Sequence, residues 1–494
     1  MNHALTLALA LAAPSAPAQR PAASAAAYTL SAPLTTLAIA GPKWARNAVL
    51  YQAYPHDFWS PEYQKGSYFR RTQALLPTLR EMGVGIIWMM PLHGRGIQKG
   101  ATPPPGISKE AQLESDSPYS VRDYYSIEPR LGTSDELKRL IARAHELGLH
   151  VIMDWVPNHT SWGNALLGEH PDWYQKDAQG NIDFPHPWKD IAQLDYQNRA
   201  VWNYQRDALL HWLRDFNIDG FRMDAAGRVP IEFWNWLRPQ LDAVKPVFML
   251  AEADEPRHHP AFDATYAWRL PPVLWGIARR GVTEASNLFT ARDIDVLLQS
   301  EAREYPAGAI RMLHLDNHDQ HFSPGPMTYL GEAKNQSAGG IAMRYGPGYR
   351  AFAVLTATLP GKPMLYNSEE NQEPDGPPAS VPITPQALKS ARNFEFYKRL
   401  FNLYKSSVAL QNGEFIKVPS NHDEFIYSFV RREPMSGSQV LVVLNLSGQK
   451  QDATLQSEAL AGDYRELFTD REARLGPRAA MRLGAWEYRV YVRS

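Results

Sequence analysis

Short apolar runs, each long enough for one buried strand, recur eight times along the chain. Each is followed by a polar or glycine-rich loop and then by a helix-like pattern, as in 134–148 and 198–216, where apolar residues lie three and four positions apart. This alternation of strands and helices predicts a parallel sheet. Eight strands favour a closed α/β fold, the (β/α)8 TIM barrel, over an open sheet. The predicted strands lie within 48–55, 84–91, 149–157, 218–224, 246–254, 261–268, 311–319 and 361–370.

Two stretches depart from this alternation. Between the third strand and its helix, about 160–197 is rich in aromatic residues, glycine, asparagine and proline, which indicates a functional insertion. After the last predicted helix, about 387–411, short alternating or β-branched runs follow one another without helices. We therefore predict a barrel domain over 45–411 and a C-terminal antiparallel β-sandwich domain over 412–494.

The balance of charge and the composition exclude several classes of partner and chemistry. Among 494 residues, 51 Lys and Arg stand against 52 Asp and Glu, so no overall field attracts nucleic acid or an anionic membrane. The absence of cysteine excludes disulfides, thiol catalysis and cysteine metal sites. No later segment is apolar for long enough to span a membrane.

The first residues have the pattern of an export signal. An apolar run at 4–13 precedes small residues at 16–18. We therefore predict a signal peptide over 1–18, a linker over 19–44, and an exported bacterial protein, periplasmic or secreted. A disordered tail rich in alanine and proline is the alternative interpretation.

Polar side chains collect where the predicted strands end. Because (β/α)8 enzymes carry their active sites at the C-terminal ends of the strands, these residues are candidates for one site. Taken singly, each has an ordinary structural explanation: a helix N-cap for an Asp, a hydrogen-bonded core position for a His, an ion pair for an Arg beside an Asp. Besides Asp154, three carboxylates on three further strands, with one cation and two imidazoles, are poorly explained by coincidence. The candidates are Asp154, His159, Arg222, Asp224, Glu252, His318 and Asp319.

A metal hydrolase is one chemistry that such a cluster could serve, with His and carboxylate ligands. Its usual barrel version needs a His-x-His at an early strand and further His at later strand tips. The first strand, however, ends with the single His56, and His258 and His259 fall in a connecting loop. The sequence therefore disfavours a metal hydrolase.

Glycoside hydrolysis is the other chemistry, and it uses a carboxylate nucleophile and a carboxylic acid. Arg222 and Asp224 are two residues apart on a strand and face the same side, so the cation favours the ionised form of Asp224. The acid has to stay protonated near neutral pH, which suits a Glu distant from that cation. Glu252, in an apolar run on the next strand, fits that requirement.

Four short motifs in order resemble the conserved regions of the α-amylase superfamily, glycoside hydrolase family 13. They are DWVPNH at 154–159, GFRMDAA at 220–226, LAEAD at 250–254 and LDNHD at 315–319. The resemblance covers roughly 45–494, and the stretch 170–196 resembles bacterial exported amylase-like and maltodextrin-degrading members.

The resemblance implies a role for each candidate residue. Asp224 is implied as the nucleophile, Glu252 as the general acid/base, and Asp319 as a third carboxylate that binds sugar hydroxyls and stabilises the transition state. The implied mechanism is a retaining double displacement through a covalent glycosyl-enzyme. The implied substrate-binding residues are Arg222, which positions and ionises the nucleophile, His159 and His318, which hydrogen-bond the sugar, Tyr119, which stacks on it, and Asp154, which organises the site.

One departure from the family pattern concerns calcium. Many calcium-dependent relatives have Lys-His after the nucleophile, where this chain has Gly227 and Arg228. Asn158 matches another calcium ligand of those relatives, but the insertion lacks an Asp-rich loop, and a Ca²⁺ site needs several oxygens. We therefore expect no required cofactor, with Asn158 as a candidate calcium ligand.

The resemblance implies hydrolysis of α-1,4-glucosidic bonds in starch-derived polysaccharide or maltooligosaccharides. A transglycosylase, a cyclomaltodextrinase or an exo-acting α-glucosidase is the alternative within the family, because the same three carboxylates serve all of them. A catalytically inactive sugar-binding relative is a different class. Such relatives lose catalytic carboxylates, and here Asp224, Glu252 and Asp319 are all present.

Overall fold

The computed structural model describes residues 27–30, 41–55, 68–96, 106, 117–280, 289–322, 340–372 and 384–493. The predicted signal peptide and His56 lie outside these residues. The strands are β1 Thr29–Leu30, β2 Val49–Ala53, β3 Val84–Met89, β4 His93–Arg95, β5 Val121–Ile127, β6 His150–Trp155, β7 His159–Ser161, β8 Ile191–Gln193, β9 Gly220–Met223, β10 Phe248–Ala251, β11 Ala264–Tyr266, β12 Ile310–Leu313, β13 Lys362–Tyr366, β14 Glu414–Lys417, β15 Ile426–Arg432, β16 Gln439–Asn445, β17 Gln451–Gln456, β18 Gly462–Glu466, β19 Glu472–Leu475, β20 Arg478–Leu483 and β21 Tyr488–Arg493. The helices are α1 Tyr68–Met82, α2 Ser134–Glu146, α3 Leu166–Glu169, α4 Arg199–Asp215, α5 Ile231–Asp242, α6 Leu270–Ala278, α7 Arg292–Glu304, α8 His318–Phe322, α9 Gly340–Tyr345, α10 Tyr349–Thr358, α11 Pro385–Lys389, α12 Phe394–Ser406 and α13 Val408–Asn412.

Eight parallel strands close into a barrel in the order β2-β3-β6-β9-β10-β11-β12-β13, which confirms the predicted fold class. Each strand overlaps one of the eight apolar runs, because a strand buried on both faces needs apolar side chains throughout. Gly220 begins β9 where the backbones approach closely, since a Cβ there would lie 2.0 Å from the carbonyl oxygen of Phe248. Among the described helices, none is long and apolar enough to cross a membrane.

Two of the helices between the barrel strands, α2 and α4, begin at recognisable caps. The side chain of Thr133 accepts a hydrogen bond from the backbone N–H of Glu136, and Glu136 accepts one from the N–H of Thr133, which is a capping box at the start of α2. Asn198 caps α4 through the N–H of Ala200. Both helices were predicted, over 134–148 and 198–216, and each ends one or two residues early.

The chain divides into two compact units, each described by itself below. The first unit lies within 37–266 and 383–388 and contains β2 to β11, and the second lies within 1–36, 267–382 and 389–494. This division does not fall at the predicted boundary near residue 412. One reason is that buried contacts join the last helices to the C-terminal sheet within the second unit. Arg431, for example, donates hydrogen bonds to the carbonyl oxygens of Thr358 and Gly413 at 3.0 and 3.1 Å.

The C-terminal strands form an antiparallel sandwich, as predicted. A seven-stranded sheet has the order β1-β14-β15-β16-β21-β18-β19, and a second sheet pairs β17 with β20. Ile416 and Val443 of the larger sheet share one buried apolar cluster with Leu455 and Met481 of the smaller sheet. The two sheets therefore enclose a common core.

Part of the segment predicted as a linker, 19–44, is instead a strand of this sandwich. Thr29 and Leu30 pair with β14, and the neighbouring Tyr28 donates a hydrogen bond from its hydroxyl to Asp295 Oδ1 at 2.7 Å. A two-residue strand at a sheet edge has too few residues for a periodic pattern, so the sequence alone did not indicate it.

Two hairpins extend the loops that follow the second and third barrel strands. β4 pairs with β5, and this hairpin was not predicted because β4 has only three residues. β7 pairs with β8 inside the predicted insertion over about 160–197, with α3 between them. β7 begins at His159, so the insertion starts one residue before the predicted boundary.

Candidate active site

The barrel register brings the predicted residues of the first unit together at the C-terminal ends of three neighbouring strands. Asp154 of β6 is directly opposite Arg222 of β9, and Arg222 is opposite Leu250 of β10. Residues paired in this way point to the same side of a sheet. The ladder continues past the strand ends, because the backbone N–H of Asp224 donates to Trp155 and that of Glu252 donates to Met223.

Arg222 is fully buried and lies among three carboxylates. Its Nη1 donates to Asp154 Oδ1 at 2.8 Å and to Asp224 Oδ1 at 3.0 Å. Its Nη2 lies 2.6 Å from Glu252 Oε1. The expectation that Glu252 is distant from this cation is therefore wrong, because β9 and β10 are adjacent strands whose ends coincide. The pairing of Arg222 with Asp224 agrees with the sequence interpretation.

The contact between Arg222 and Glu252 is close without being a hydrogen bond. Both Arg222 Nη2 and Glu252 Oε1 are buried and lack a hydrogen-bond partner, so the ion pair has poor alignment. Glu252 Oε2, in contrast, accepts a hydrogen bond from the backbone N–H of Ala225 at 2.6 Å. Ala225 has a φ of 45°, an unfavourable left-handed conformation for a residue with a Cβ. This strained turn directs the N–H of Ala225 at Glu252.

The surroundings of Glu252 favour its protonated form. Burial raises the pKa of Glu252 from its ordinary 4.5 to about 7; Arg222 opposes that rise, and the negative charge of Asp224 adds to it. Burial also raises the pKa of Asp154, but there Arg222 and the hydroxyl of Tyr119 favour the ionised carboxylate. Asp154 accepts three hydrogen bonds, whereas Glu252 accepts one, at Oε2, and its Oε1 accepts none, so we assign the proton to Glu252.

Three aromatic residues surround the guanidinium of Arg222, and two of them were not predicted. The rings of Trp88, Tyr119 and Tyr266 have centroids 5.4, 5.7 and 5.8 Å from its Cζ atom. Trp88 and Tyr119 also donate hydrogen bonds to Asp154 Oδ2, at 3.2 and 3.1 Å. Their positions in the sequence could have indicated them, because Trp88 and Tyr266 lie near the C-terminal ends of β3 and β11, where the active site of a barrel is expected.

His159 lies at the start of the insertion and is buried. Burial above all, with a smaller contribution from the charge of Arg228 and against a backbone hydrogen bond with Tyr119, lowers the pKa of its imidazole from 6.5 to about 3, so the ring is neutral near pH 7. Its Nε2 is buried without a hydrogen-bond partner. Arg228 lies over the ring of Trp188 at 4.5 Å, and the rings of Trp188 and His159 are 6.4 Å apart. A neutral imidazole nitrogen without a partner is suited to hydrogen-bond a bound polar molecule.

Asn158, the candidate calcium ligand, is engaged with a neighbouring amide. Its Oδ1 accepts a hydrogen bond from Gln193 Nε2 at 3.0 Å, and its Nδ2 donates to Gln193 Oε1 at 3.3 Å. Ca²⁺ takes six to eight oxygen ligands, commonly with several carboxylates. Among the described residues, no group of three His, Asp or Glu side chains converges at Asn158. The residues described here do not fit a calcium site.

His318 and Asp319 belong to the second unit. They begin the short helix α8, which starts five residues beyond the end of β12, and do not lie at the strand end where they were predicted. Asn317 Oδ1 accepts the backbone N–H groups of Asp319 and Gln320 at 3.0 and 2.8 Å. The side chain of Asn317 therefore starts a helix, and the strand ends earlier. His318 Nε2 lies 3.3 Å from Asp319 Oδ1.

Comparison with known proteins identifies similar chains. A family model described as the catalytic domain of α-amylase matches residues 54–190. The chain is 23% identical over 481 residues to α-amylase 2 of Dictyoglomus thermophilum, covering 89% of this chain and 76% of that one. It is 23% identical over 425 residues to the α-1,4-glucan:maltose-1-phosphate maltosyltransferase of Methylacidiphilum infernorum, covering 80% of this chain and 59% of the relative. The chain thus spans less than two thirds of that second relative.

The fold has a solved counterpart. A maltogenic α-amylase from Thermotoga neapolitana superposes with a TM-score of 0.72 and 26% identity, over 91% of this chain and 100% of that one. Together, the sequence matches and this superposition cover the barrel and the C-terminal sandwich. In its sequence and in its fold, the chain is similar to members of the α-amylase superfamily, glycoside hydrolase family 13.

Proposed function

We propose that this protein is a retaining glycoside hydrolase that cleaves α-1,4-glucosidic bonds in starch or maltooligosaccharides. The main support for the proposal is that one buried cation, Arg222, contacts the carboxyl groups of Asp224 and Glu252 in different geometries. Arg222 is hydrogen-bonded to Asp224 at 3.0 Å, whereas its 2.6 Å contact with Glu252 is poorly aligned. The hydrogen bond from Arg222 favours the carboxylate form of Asp224, whereas burial and the charge of Asp224 raise the pKa of Glu252 and favour its protonated form, as a retaining mechanism requires.

The proposed reaction has two displacements. In the first, a carboxylate oxygen of Asp224 attacks the anomeric carbon while Glu252 gives its proton to the departing glycosidic oxygen, which leaves as a sugar hydroxyl. In the second, the Glu252 carboxylate takes a proton from water, and the water oxygen attacks the anomeric carbon and releases Asp224. Both carboxyl groups return to their starting protonation states. Two inversions retain the α configuration.

The remaining predicted residues are proposed to bind the sugar. Tyr119 presents an aromatic face beside Arg222, and the neutral His159 offers its free Nε2 to a sugar hydroxyl. Asp154 holds Arg222 in place. His318 and Asp319, adjacent at the start of α8, are proposed as the further hydrogen-bonding imidazole and the third carboxylate, on the family resemblance.

The same machinery supports transfer to a sugar acceptor, and this is the second candidate function. A maltosyltransferase is among the relatives, and transfer differs only in which hydroxyl attacks the covalent intermediate. Export and independence from calcium are also proposed. The first follows the N-terminal sequence pattern, and the second follows the amide pairing of Asn158.

The test is a time course with maltoheptaose, analysed by chromatography and by proton NMR of the first products, with and without EDTA. We expect short α-maltooligosaccharides in both arms and none from Asp224→Asn. Asp242→Asn is a matched control, because Asp242 pairs with a different arginine, Arg238. Products longer than maltoheptaose would favour transfer, and β-anomers would refute a retaining mechanism. Inactivation by EDTA would refute calcium independence, and no turnover would refute the substrate class.

A further inference from the structure

A second cluster of polar side chains lies at the N-terminal ends of the barrel strands, away from the candidate active site. Among the described residues, His145, His150 and Asp219 form the one group of three whose ligand atoms all lie within 4.8 Å of one another. His145 is in the last turn of α2, His150 begins β6, and Asp219 directly precedes β9. We propose that these three side chains bind a divalent transition-metal ion of the Zn²⁺ class.

Two of the three distances are close to those that a tetrahedral ion requires, and the third, between the ligand atoms of the two histidines, is within 4.8 Å. His145 Nε2 lies 2.7 Å from Asp219 Oδ2, and His150 Nδ1 lies 3.7 Å from the same oxygen. Bonds of about 2.0–2.1 Å in tetrahedral geometry place neighbouring ligand atoms about 3.3 Å apart. One distance has to lengthen and the other has to shorten, each by about half an ångström, which side-chain rotation supplies.

His150 is oriented for coordination before any ion arrives. Its ring is stacked on Trp44, with centroids 3.8 Å apart and an angle of 11° between the planes. Its Nδ1 is buried and has no hydrogen-bond partner. A buried imidazole nitrogen that faces a carboxylate without bonding to it leaves a coordination position open.

Asp219 is held so that one oxygen remains directed at the two imidazoles. Its Oδ1 accepts a hydrogen bond from Lys245 Nζ at 3.1 Å, and its Oδ2 accepts one from the backbone N–H of Val151 at 2.8 Å. Carboxylates that ligate metal ions are commonly fixed by such hydrogen bonds. The ammonium of Lys245 reduces the affinity for a second cation, so we expect micromolar and not nanomolar binding.

The donor set and the exposure select the class of ion. Two imidazole nitrogens and one carboxylate oxygen suit Zn²⁺, Co²⁺ or Ni²⁺, whereas Ca²⁺ and Mg²⁺ prefer oxygen ligands throughout. The side chains of His145 and His150 are 27% and 24% exposed, so solvent can supply a fourth ligand and the ion has a path of entry. A bound ion would join α2, β6 and β9, and so stabilise the fold without taking part in catalysis.

The purely structural alternative is that His145 and Lys245 simply form ion pairs with Asp219. To separate the two, untagged full-length protein is stripped of metal and titrated with Co²⁺, followed by its visible absorption, and with Zn²⁺ by calorimetry. We expect one ion per chain, a visible band of tetrahedral Co²⁺ that Zn²⁺ removes and Ca²⁺ does not, and a higher melting temperature with Zn²⁺.

The decisive variant is His150→Phe, which keeps an aromatic ring against Trp44 and removes the ligand nitrogen. We expect at least tenfold weaker Co²⁺ binding and loss of the tetrahedral band, with little change in the melting temperature of the metal-free protein. His211→Phe is the matched control, because His211 pairs with Asp215 alone, at 2.6 Å, outside this group. No binding at 100-fold molar excess, or equal binding by His150→Phe, would overturn the proposal.

Discussion

Two buried arginines in the first unit have similar surroundings and different uses. Arg222 lies at the ends of the barrel strands, and Arg238 lies in α5; their side chains are 0% and 4% exposed. Arg238 donates from Nε to Asp242, from Nη1 to Asp263 and Ala261, and from Nη2 to Val247, so each of its nitrogens has a partner. Arg222 contacts three carboxylates, yet its Nη2 has no aligned acceptor.

The difference is one of charge and alignment. Around Arg238, two carboxylates share one cation, and the remaining donors are satisfied by backbone carbonyl groups, which carry no net charge. Around Arg222, three carboxyl groups share one cation, and burial, together with the charge of Asp224, raises the pKa of Glu252. Burial also raises the pKa of Asp263, but each oxygen of Asp263 faces an aligned donor of Arg238. A well-paired buried arginine stabilises a fold, whereas a surplus of carboxylates holds a proton that can be transferred.

The largest expected effect is on catalysis, and it distinguishes the carboxyl groups around Arg222 from those around Arg238. Glu252→Gln removes the transferable proton, so kcat on maltoheptaose should fall by about 10²–10⁴-fold. With α-maltosyl fluoride, whose leaving group needs no proton, the loss in kcat/KM, which reports the first displacement alone, should be at least tenfold smaller than the loss in kcat/KM on maltoheptaose. Initial rates on both substrates measure this. Asp263→Asn, beside Arg238, should keep the activity of the folded protein within about twofold. A loss of kcat equal to that of Glu252→Gln would contradict the comparison.

The next effect is on stability. Arg238→Met leaves the buried Asp263 without its partner, so the free energy of unfolding should fall by about 3–5 kcal/mol while the protein that remains folded stays active. Urea denaturation and rates at low temperature test the two parts. Arg222→Met should lose both stability and activity. If Arg238→Met were inactive while still folded, Arg238 would not be purely structural.

The sequence predicted the group around Arg222 and not the group around Arg238, for a physical reason. Arg222 and Asp224 face one side of a strand, and barrel topology says where strand ends meet, so periodicity was enough. Arg238 lies in α5, and Asp263 directly precedes β11, with β10 between them in the chain, so only tertiary packing brings them together. Trp88 and Tyr266 were missed because aromatic residues in buried runs look like ordinary core residues.

Other features depended on local geometry that residue types do not encode. Ala225 has a left-handed backbone without the Gly or Asn that would signal it. The contact between Arg222 and Glu252 depends on the alignment of two atoms 2.6 Å apart. His318 and Asp319 were predicted at a strand end, but Asn317 caps a helix there. Eight buried strands, in contrast, each needed an apolar run, which is why the barrel was predicted.

A smaller effect concerns pH and stability. Because the pKa of Glu252 is raised from 4.5 to about 7, the folded state holds a proton that the unfolded state has released between these values. The contribution of protonated Glu252 to the free energy of unfolding is therefore lost as the pH rises from 4.5 to about 7. Glu252→Gln should be more stable than the parent by about 1–2 kcal/mol at pH 8 and equal to it near pH 4. Urea denaturation at both values measures this, and Glu255→Gln, on the half-exposed Glu255, should show no such difference. A variant less stable at pH 8 would contradict the assignment of the proton.

The smallest expected effect comes from the residues that accept a hydrogen bond from Nε of Arg222 and from Nε of Arg238. Arg222 Nε donates to the buried hydroxyl of Tyr266 at 3.2 Å, and Arg238 Nε donates to Asp242, which is 34% exposed. Tyr266→Phe leaves a buried donor unpaired, so it should lower the free energy of unfolding by about 1 kcal/mol and also lower kcat, because Arg222 then holds Asp224 less firmly. Asp242→Asn should lower the free energy of unfolding by less, about 0.5 kcal/mol, because water screens the pair and the amide oxygen still accepts a hydrogen bond. Parallel urea and rate measurements decide the matter: a loss of kcat confined to Tyr266→Phe means that the partners of Arg222 serve the reaction, whereas equal losses of stability without any change in kcat would make both arginines structural.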